Sequence, residues 1–167
     1  MINYEIKKYP DPILRKISSN VDIFDNAAEE LVSEMAAIML EKNGIGLAAP
    51  QIGICKRIIV FKTVGEDTET VEHLINPQII EASGSILAEE GCLSMPKIYA
   101  SVKRYACIRV KGKNKFGQEV IYETDKFWAV IIQHEIDHLN GKLFIDHLSA
   151  IKRRLLISKY KKQMSKD

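Results

Sequence analysis

The run from Asp125 to Gly141 places the tightest constraint on this chain, because it sets a local conformation and a chemistry together. Thr124 or Asp125 can cap its start, helix formers and apolar residues continue unbroken, and Asn140-Gly141 supplies a stop. The pattern predicts a helix. His134 and His138 stand four apart, so on a helix their imidazoles share one face and can grip one metal ion. Glu135 follows the first histidine, where a carboxylate reaches a metal-bound water without being a ligand. The chain has four histidines, and two of them at ligand spacing favour a metal pair over two solvated side chains. Phe127, Val130 and Ile131 lie seven, four and three residues before His134 and project towards its side of the helix. Such a stripe packs a core, and its metal-proximal end can also wall a pocket for a linear hydrophobic side chain.

A chain of 167 residues suits one well-buried domain and is short for two. The expected division is a catalytic body over residues 1–148 and a basic C-terminal helix over 149–167, both within that single domain. Apolar content of 46% and charged content of 28% describe a soluble globular protein, for which a monomer is expected. The net charge of +2 excludes a polycation, yet the charge is unevenly placed. Lys152, Arg153, Arg154, Lys159, Lys161, Lys162 and Lys166 face only Asp167 in the last sixteen residues, leaving the rest mildly acidic. No stretch approaches the ~18 apolar residues of a membrane span, and the first residues have neither a signal-type apolar core nor a transit-type composition, so no targeting leader is expected. Cys55, Cys92 and Cys107 are an odd set without framework spacing, so a reducing compartment, the cytoplasm, is expected.

Asp11-Pro12 predicts a short helix through Lys16, and a longer one is expected from Asp25 to Lys42 with Leu31, Met35, Ile38 and Met39 on one face. The segment Gly44-Ile45-Gly46-Leu47-Ala48-Ala49-Pro50-Gln51 follows a helix and lacks Gly-Lys-Ser/Thr, so it is no phosphate loop. Its glycines suit close approach of backbone to a ligand. Strands are expected over Arg57–Lys62, Val71–Ile75, Gln78–Ala82, Ser101–Lys111 and Gln118–Glu123, with a polar loop from Thr63 to Thr70. A last helix starts near Ser149, its beginning anchored by Leu148, Ile151 and Leu155. Strands running in hairpins between helices make the class α+β, with mainly antiparallel sheets around a central metal-binding helix and a C-terminal helix.

Two histidines leave a catalytic tetrahedral site short of a ligand. Cys92 is the candidate, in the irregular stretch Glu90-Gly91-Cys92-Leu93-Ser94-Met95-Pro96, read as a loop. Cys55 and Cys107 lie in or beside strand-like stretches and suit buried packing. His73 and His147 are expected to be surface or structural residues. A peptidase of the His-Glu-x-x-His type would instead draw its third ligand from downstream, where Asp146 and His147 lie.

Gly44 to Gln51, Glu90-Gly91-Cys92-Leu93-Ser94 and Gln133-His134-Glu135-Ile136-Asp137-His138 resemble, in that order, the three signature motifs of peptide deformylase of the bacterial type. The similarity spans nearly the whole chain, and three motifs together are far more specific than His-Glu-x-x-His alone. The resemblance implies removal of the N-formyl group from N-formylmethionyl peptides of nascent chains, with release of formate. It implies Cys92, His134 and His138 as metal ligands and Glu135 as general acid/base. Gln51 and the backbone N–H of Leu93 become donors to the oxyanion. Ile45, Gly46 and Gly91 line the peptide groove, and Phe127, Val130 and Ile131 form the methionine pocket. Arg104 and Asp137 resemble an ion pair that steadies the metal helix. The donor set suits zinc, ferrous iron, nickel or cobalt, and the family favours ferrous iron in the cell. The basic C-terminal helix is then a contact for the ribosome. Tyr99 departs from the Arg that some members carry seven residues after the metal Cys, which alters the distal subsite. A non-enzymatic metal-stabilised module would retain three ligands and have no use for Glu135 or Gln51.

Overall fold

A computed structural model of the chain describes residues 4–64 and 69–165. A 3-10 turn (Pro12–Arg15) leads to helix α1 (Asn26–Glu41), a three-residue strand β1 (Gly46–Ala48) and a second 3-10 turn (Ala49–Ile52). Six strands follow: β2 (Ile58–Val64), β3 (Glu69–Ser83), β4 (Ile86–Cys92), β5 (Met95–Arg104), β6 (Cys107–Lys113) and β7 (Glu119–Asp125). Helix α2 (Lys126–Leu139), a third 3-10 turn (Phe144–His147) and helix α3 (Ala150–Met164) complete the chain. The strands form a five-stranded sheet in the order β1-β2-β3-β6-β7 and a separate β4-β5 ribbon, and each of these pairings is antiparallel. This is the expected α+β class. No described helix is long and apolar enough to cross a membrane.

The large sheet is covered on both faces, which explains why Ile58, Ile59, Val60 and Phe61 are buried in succession. Ile58 and Val60 pack with Met35 and Met39 of α1, whereas Ile59 and Phe61 pack with Ala129, Ile132 and Ile136 of α2. A third cluster joins Met95, Ile98 and Val102 of β5 to Phe144, Ile145 and Tyr160. Helix α2 therefore has neighbours on nearly every side, and even Gln133, His134, Glu135 and His138 are buried. It ends at Gly141, whose positive φ of 67° and contact with Arg15 leave no room for a side chain: a Cβ would stand 2.5 Å from Arg15 O.

Several boundaries differ from the sequence expectation, each for a local reason. Val71–Ile75 and Gln78–Ala82 belong to one strand, β3, with an irregularity between Ile75 and Gln78. There the Asn76 side chain accepts from Val21 N–H and donates to Val21 O, both at 2.9 Å, so the ladder is interrupted while the strand continues. Ser101–Lys111 is two strands in two sheets. The chain turns at Tyr105-Ala106, where Gln133 accepts from Tyr105 N–H and donates to Tyr105 O. Of residues 90–96, expected as a loop, Glu90-Gly91-Cys92 end β4 and Met95-Pro96 begin β5, leaving only Leu93-Ser94 as the turn between two strands paired from Ile86–Arg104 onward. Thr63 and Thr70 lie in paired strands, with their hydroxyl oxygens 2.7 Å apart, and residues 65–68 of that expected loop lie outside the described residues. Cys107 is exposed and Cys55 half-buried, so neither is the buried packing residue expected.

Helix α3 is docked by a different face from the one expected. Ile151 and Leu155 are 74% and 65% exposed, while Leu148, Leu156, Ile157 and Met164 pack against the third cluster and Tyr160 is buried within it. The Tyr160 hydroxyl donates to Tyr9 O at 3.0 Å, which ties the end of the chain to its beginning. Tyr160→Ala is expected to cost about 3 kcal/mol, in the range of large-to-small aromatic substitutions, measured by urea unfolding. A change below about 1 kcal/mol would show the helix to be loosely held.

His73 is half-buried, and its Nε2 accepts from Lys115 N–H at 3.0 Å, which requires the neutral ring. Burial lowers its pKa below the ordinary value; the Glu72 carboxylate opposes this and the Lys115 charge reinforces it. The unfolded chain therefore takes up this proton first as the pH falls, so the contribution is complete above about pH 6.5 and declines below it. In His73→Gln, which keeps an acceptor but does not titrate, the urea midpoint is expected to fall less between pH 7.5 and 5.5 than in the parent chain. Equal falls would remove His73 from the account.

Candidate functional site

Strand β4, helix α2 and the second 3-10 turn converge on one point. Along β4 the pleat puts Glu90 and Cys92 on the face turned towards α2. Helical spacing sets His134 and His138 on one face with their Nε2 atoms 3.3 Å apart, and Cys92 Sγ lies 3.3 Å from His138 Nε2. The three donor atoms all lie within 4.8 Å of one another. Two nitrogens held at ~2.0–2.1 Å from one tetrahedral ion are separated by ~3.3–3.4 Å, so the imidazole pair has the spacing a divalent ion requires. One thiolate and two imidazoles are a donor set of the matching chemistry. The alternative downstream ligands lie elsewhere: His147 is engaged by Asp137, and Asp146 pairs with Arg15 and accepts from Leu143 N–H.

Behind the donors runs a buried charge network. His134 Nδ1–H donates to Glu90 Oε2 at 2.7 Å, which turns Nε2 towards the cluster. Arg104 grips Glu90 with two bonds, Nε to Oε1 at 2.7 Å and the second guanidinium nitrogen to Oε2 at 3.0 Å. Its remaining nitrogen donates to Asp137 Oδ2 at 2.6 Å, so the expected Arg104–Asp137 pair is present and extends further than the sequence indicated. Burial alone would raise the Glu90 pKa, but the hydrogen bonds with His134 and Arg104 hold it at about 2. The fixed negative charge that results favours a cation at the Nε2 end of His134. At His138, burial lowers the pKa, so this ring is neutral and free to donate a lone pair.

Gln51 is clamped in a defined orientation. Its Oε1 accepts from Ala48 N–H at 2.8 Å, leaving Nε2 to face Ser94 Oγ at 3.2 Å and Cys92 Sγ at 3.5 Å. Leu93 opens the turn between β4 and β5 beside the same donors. Glu135 is buried, and its Oε2 has no hydrogen-bond partner among the described residues. Burial pushes its pKa up to about 7. Gly46 faces this carboxylate so closely that a Cβ there would lie 2.4 Å from Glu135 Oε1.

A cavity of about 780 Å³ opens beside the cluster, lined by Ile45, Gly46, Gly91, Phe127, Val130 and Ile131 among others. Gln51, Cys92, Leu93, His134 and Glu135 line it as well, while His138 belongs to the adjoining donor cluster and Arg104 and Asp137 lie in the network behind it. Three others were missed. Glu90 was hidden because an acid facing inward breaks the usual polar-out alternation of a strand, although its i, i+2 relation to Cys92 was readable. Ser94 was quoted within a motif but given no task. His147, expected to be surface or structural, stands at the outer end of the charge network.

An antiparallel α+β body in which a strand cysteine joins two histidines of the central helix is the build of a metal-site hydrolase. The polypeptide deformylase family profile matches residues 3–154, and the chain belongs to that family of enzymes. A peptide deformylase from Hydrogenovibrio crunogenus is 45% identical over 167 residues, covering 100% of this chain and 98% of the relative. The peptide deformylase structure from Ehrlichia chaffeensis superposes with a TM-score of 0.91 at 35% identity, covering 98% of each chain. That from Legionella pneumophila gives 0.86 at 38% identity, again covering 98% of each.

Gly46→Ala tests the approach of β1 to Glu135. The added methyl must push the carboxylate aside, and a displacement of about 1 Å is expected to lower turnover roughly 10²-fold. Metal content should be unchanged, since no donor moves. Wild-type turnover with the alanine in place would mean that the strand yields instead.

Proposed function

We propose that this chain removes the N-formyl group from N-formylmethionyl peptides of nascent chains and releases formate, with Cys92, His134 and His138 as metal ligands and Glu135 as general acid/base. The observation that carries the reading is the Glu135 carboxylate, buried between the donor cluster and Gly46 with its Oε2 unpartnered among the described residues. An unsatisfied buried polar atom costs about 1–3 kcal/mol, and a carboxylate oxygen left so beside the donor cluster is placed to exchange a proton there. A non-enzymatic metal module has no use for such a group, and a peptidase with a downstream ligand is disfavoured by the other engagements of Asp146 and His147.

A divalent ion, ferrous iron in the cell with zinc, nickel or cobalt as alternatives, supplies Lewis acidity that brings a water's pKa from ~15.7 to near ~7. Glu135 accepts the proton of the attacking water and returns it to the leaving amine, an effect of order 10²–10⁴-fold. Gln51 Nε2 and the Leu93 N–H donate to the oxyanion as it forms, each contributing roughly 10²–10³-fold. The clamp from Ala48 keeps the Gln51 amide from rotating its oxygen into that place. Phe127, Val130 and Ile131 bury the methionine side chain at ~0.8 kcal/mol per methylene, so preference for methionine is graded. Strand β1, an edge of the large sheet, and β4 flank the groove, so that Ile45, Gly46 and Gly91 bracket an extended peptide. Tyr99, at the far wall beside Gly91, replaces a cation with an aromatic ring in the distal subsite.

Glu135→Gln is expected to hold the metal at the parent level while formate release falls by 10²–10⁴-fold. Both are to be measured on one preparation, and loss of the metal would make Glu135 a ligand.

Helix α3 is proposed to contact ribosomal RNA. Its outer face exposes Lys152, Arg154, Lys159 and Lys162 around Ile151 and Leu155. With these four bases changed to Gln, formate release from short peptides should be unaffected and ribosome co-sedimentation weakened. The log–log salt slope should become shallower by about 0.7–0.9 for each phosphate that is no longer neutralised. Unchanged co-sedimentation would leave α3 a structural helix.

A further inference from the structure

We propose that His147 is a positioning residue for the metal centre: by holding Asp137 it keeps the chain Asp137–Arg104–Glu90 aligned on His134 and so sets how tightly the ion is bound. The inference rests on the reading of Cys92, His134 and His138 as ligands. It starts from an unbroken polar path. His147 Nε2 lies 2.6 Å from Asp137 Oδ2, Asp137 lies 2.6 Å from Arg104, Arg104 is doubly bonded to Glu90, and Glu90 lies 2.7 Å from His134 Nδ1. Side-chain exposure falls along it from 32% at His147 through 15% at Asp137 to 4% at Arg104 and Glu90. The path therefore runs from solvent to the donor cluster.

The direction of the outermost bond follows from donor chemistry. Arg104 stands 3.2 Å from His147 Nε2, but the guanidinium can only donate. The shorter contact is to a carboxylate, so His147 Nε2–H donates to Asp137, and both the neutral Nε2–H ring and the imidazolium can do so. Asp137 Oδ2 then accepts from two sides and is fixed between them. Without His147 it would be held by Arg104 alone, and water could compete for it.

Two further observations place this weight on the third 3-10 turn. Phe144, at its other end, stacks on the His134 ring with centroids 6.1 Å apart and 25° between planes. The same short turn thus touches His134 directly through Phe144 and indirectly through His147. The turn is itself held: Asp146 accepts from Leu143 N–H at 2.8 Å, pairs with Arg15 and lies 3.7 Å from Arg153 of α3. His138 Nδ1, by contrast, is buried with no partner among the described residues. Outer hydrogen bonding of the imidazole pair consequently falls on His134, and the length of its supporting chain matters more.

Cobalt-loaded full-length protein, competed with a chelator and followed by its visible thiolate–cobalt absorption, tests the inference. Loss of a partner directly bonded to a ligand weakens metal affinity by 10–100-fold. His147 acts further out, so His147→Ala is expected at the low end, about 10-fold weaker, with a shifted absorption band. His147→Gln, whose amide nitrogen reaches the place of Nε2, should restore affinity to within about 3-fold. If the alanine variant does not accumulate, His147→Asn, too short to reach Asp137, is read in its stead. Parent affinity and an unshifted band in the shortened variants overturn the proposal, even if urea stability falls. A glutamine variant as weak as alanine also overturns it, because donation to Asp137 would then not be the cause. A parent chain that takes up no cobalt overturns the ligand assignment itself, and with it this inference.

Discussion

A guanidinium taken out of water needs its charge answered on the spot, and Arg104 is answered twice, by Glu90 and by Asp137. Glu90 comes from β4, Arg104 from the end of β5 and Asp137 from α2, so both strands of the ribbon and the central helix meet on one side chain. Removing a partner would leave an unpaired buried charge, at a cost of about 3–5 kcal/mol. The bonds that place the β4-β5 ribbon against the helix are also the bonds that orient His134. Position and chemistry rest on the same few hydrogen bonds, and a change that loosens one loosens both.

The packing around α2 explains how polar catalytic groups come to lie in a core. A helix at the surface would expose one side, and His134, Glu135 and His138 would face water there. Here the sheet covers one side, the ribbon and third turn another, and the buried residues of α2 include four polar side chains. Gln133 and His134 are answered by hydrogen bonds, whereas Glu135 Oε2 and His138 Nδ1 have no partner among the described residues. Gln133 is spent on the backbone of Tyr105, where it pins the turn from β5 into β6. Desolvation of Glu135 is tolerated because the network around Arg104 and the apolar clusters hold the surrounding elements in place.

Features with a local period were legible in the sequence. The spacing of His134 and His138, the stripe of Phe127, Val130 and Ile131, and the face of α1 carrying Met35 and Met39 all depend on 3.6 residues per turn, which neighbours in sequence dictate. The ribbon was not legible, because Glu90, Cys92 and Arg104 point inward and reverse the alternation by which strands are recognised. Nor was the break at Tyr105-Ala106, since Val102 and Arg104 before it and Ile108 and Val110 after it keep the same parity. Gln133, nearly thirty residues away, decides it. At α3 the sequence offered two apolar sets, and only packing chose Tyr160 over Ile151 and Leu155.

Local sequence alone determined the helix that carries the two histidines, the carboxylate between them, the small-residue segment ending in Gln51, and the class of donor set. Those are properties of spacing and residue type, and they survive any arrangement of the rest. Tertiary structure decided which cysteine joins the histidines, which carboxylate stands behind His134, and that Gly46 must be bare because Glu135 occupies the space a Cβ would take. Contacts of that kind join residues some forty to ninety positions apart, and no periodicity encodes a distance between chain segments. They exist only once burial has brought β1, β4 and α2 together and left each buried charge few neighbours able to answer it.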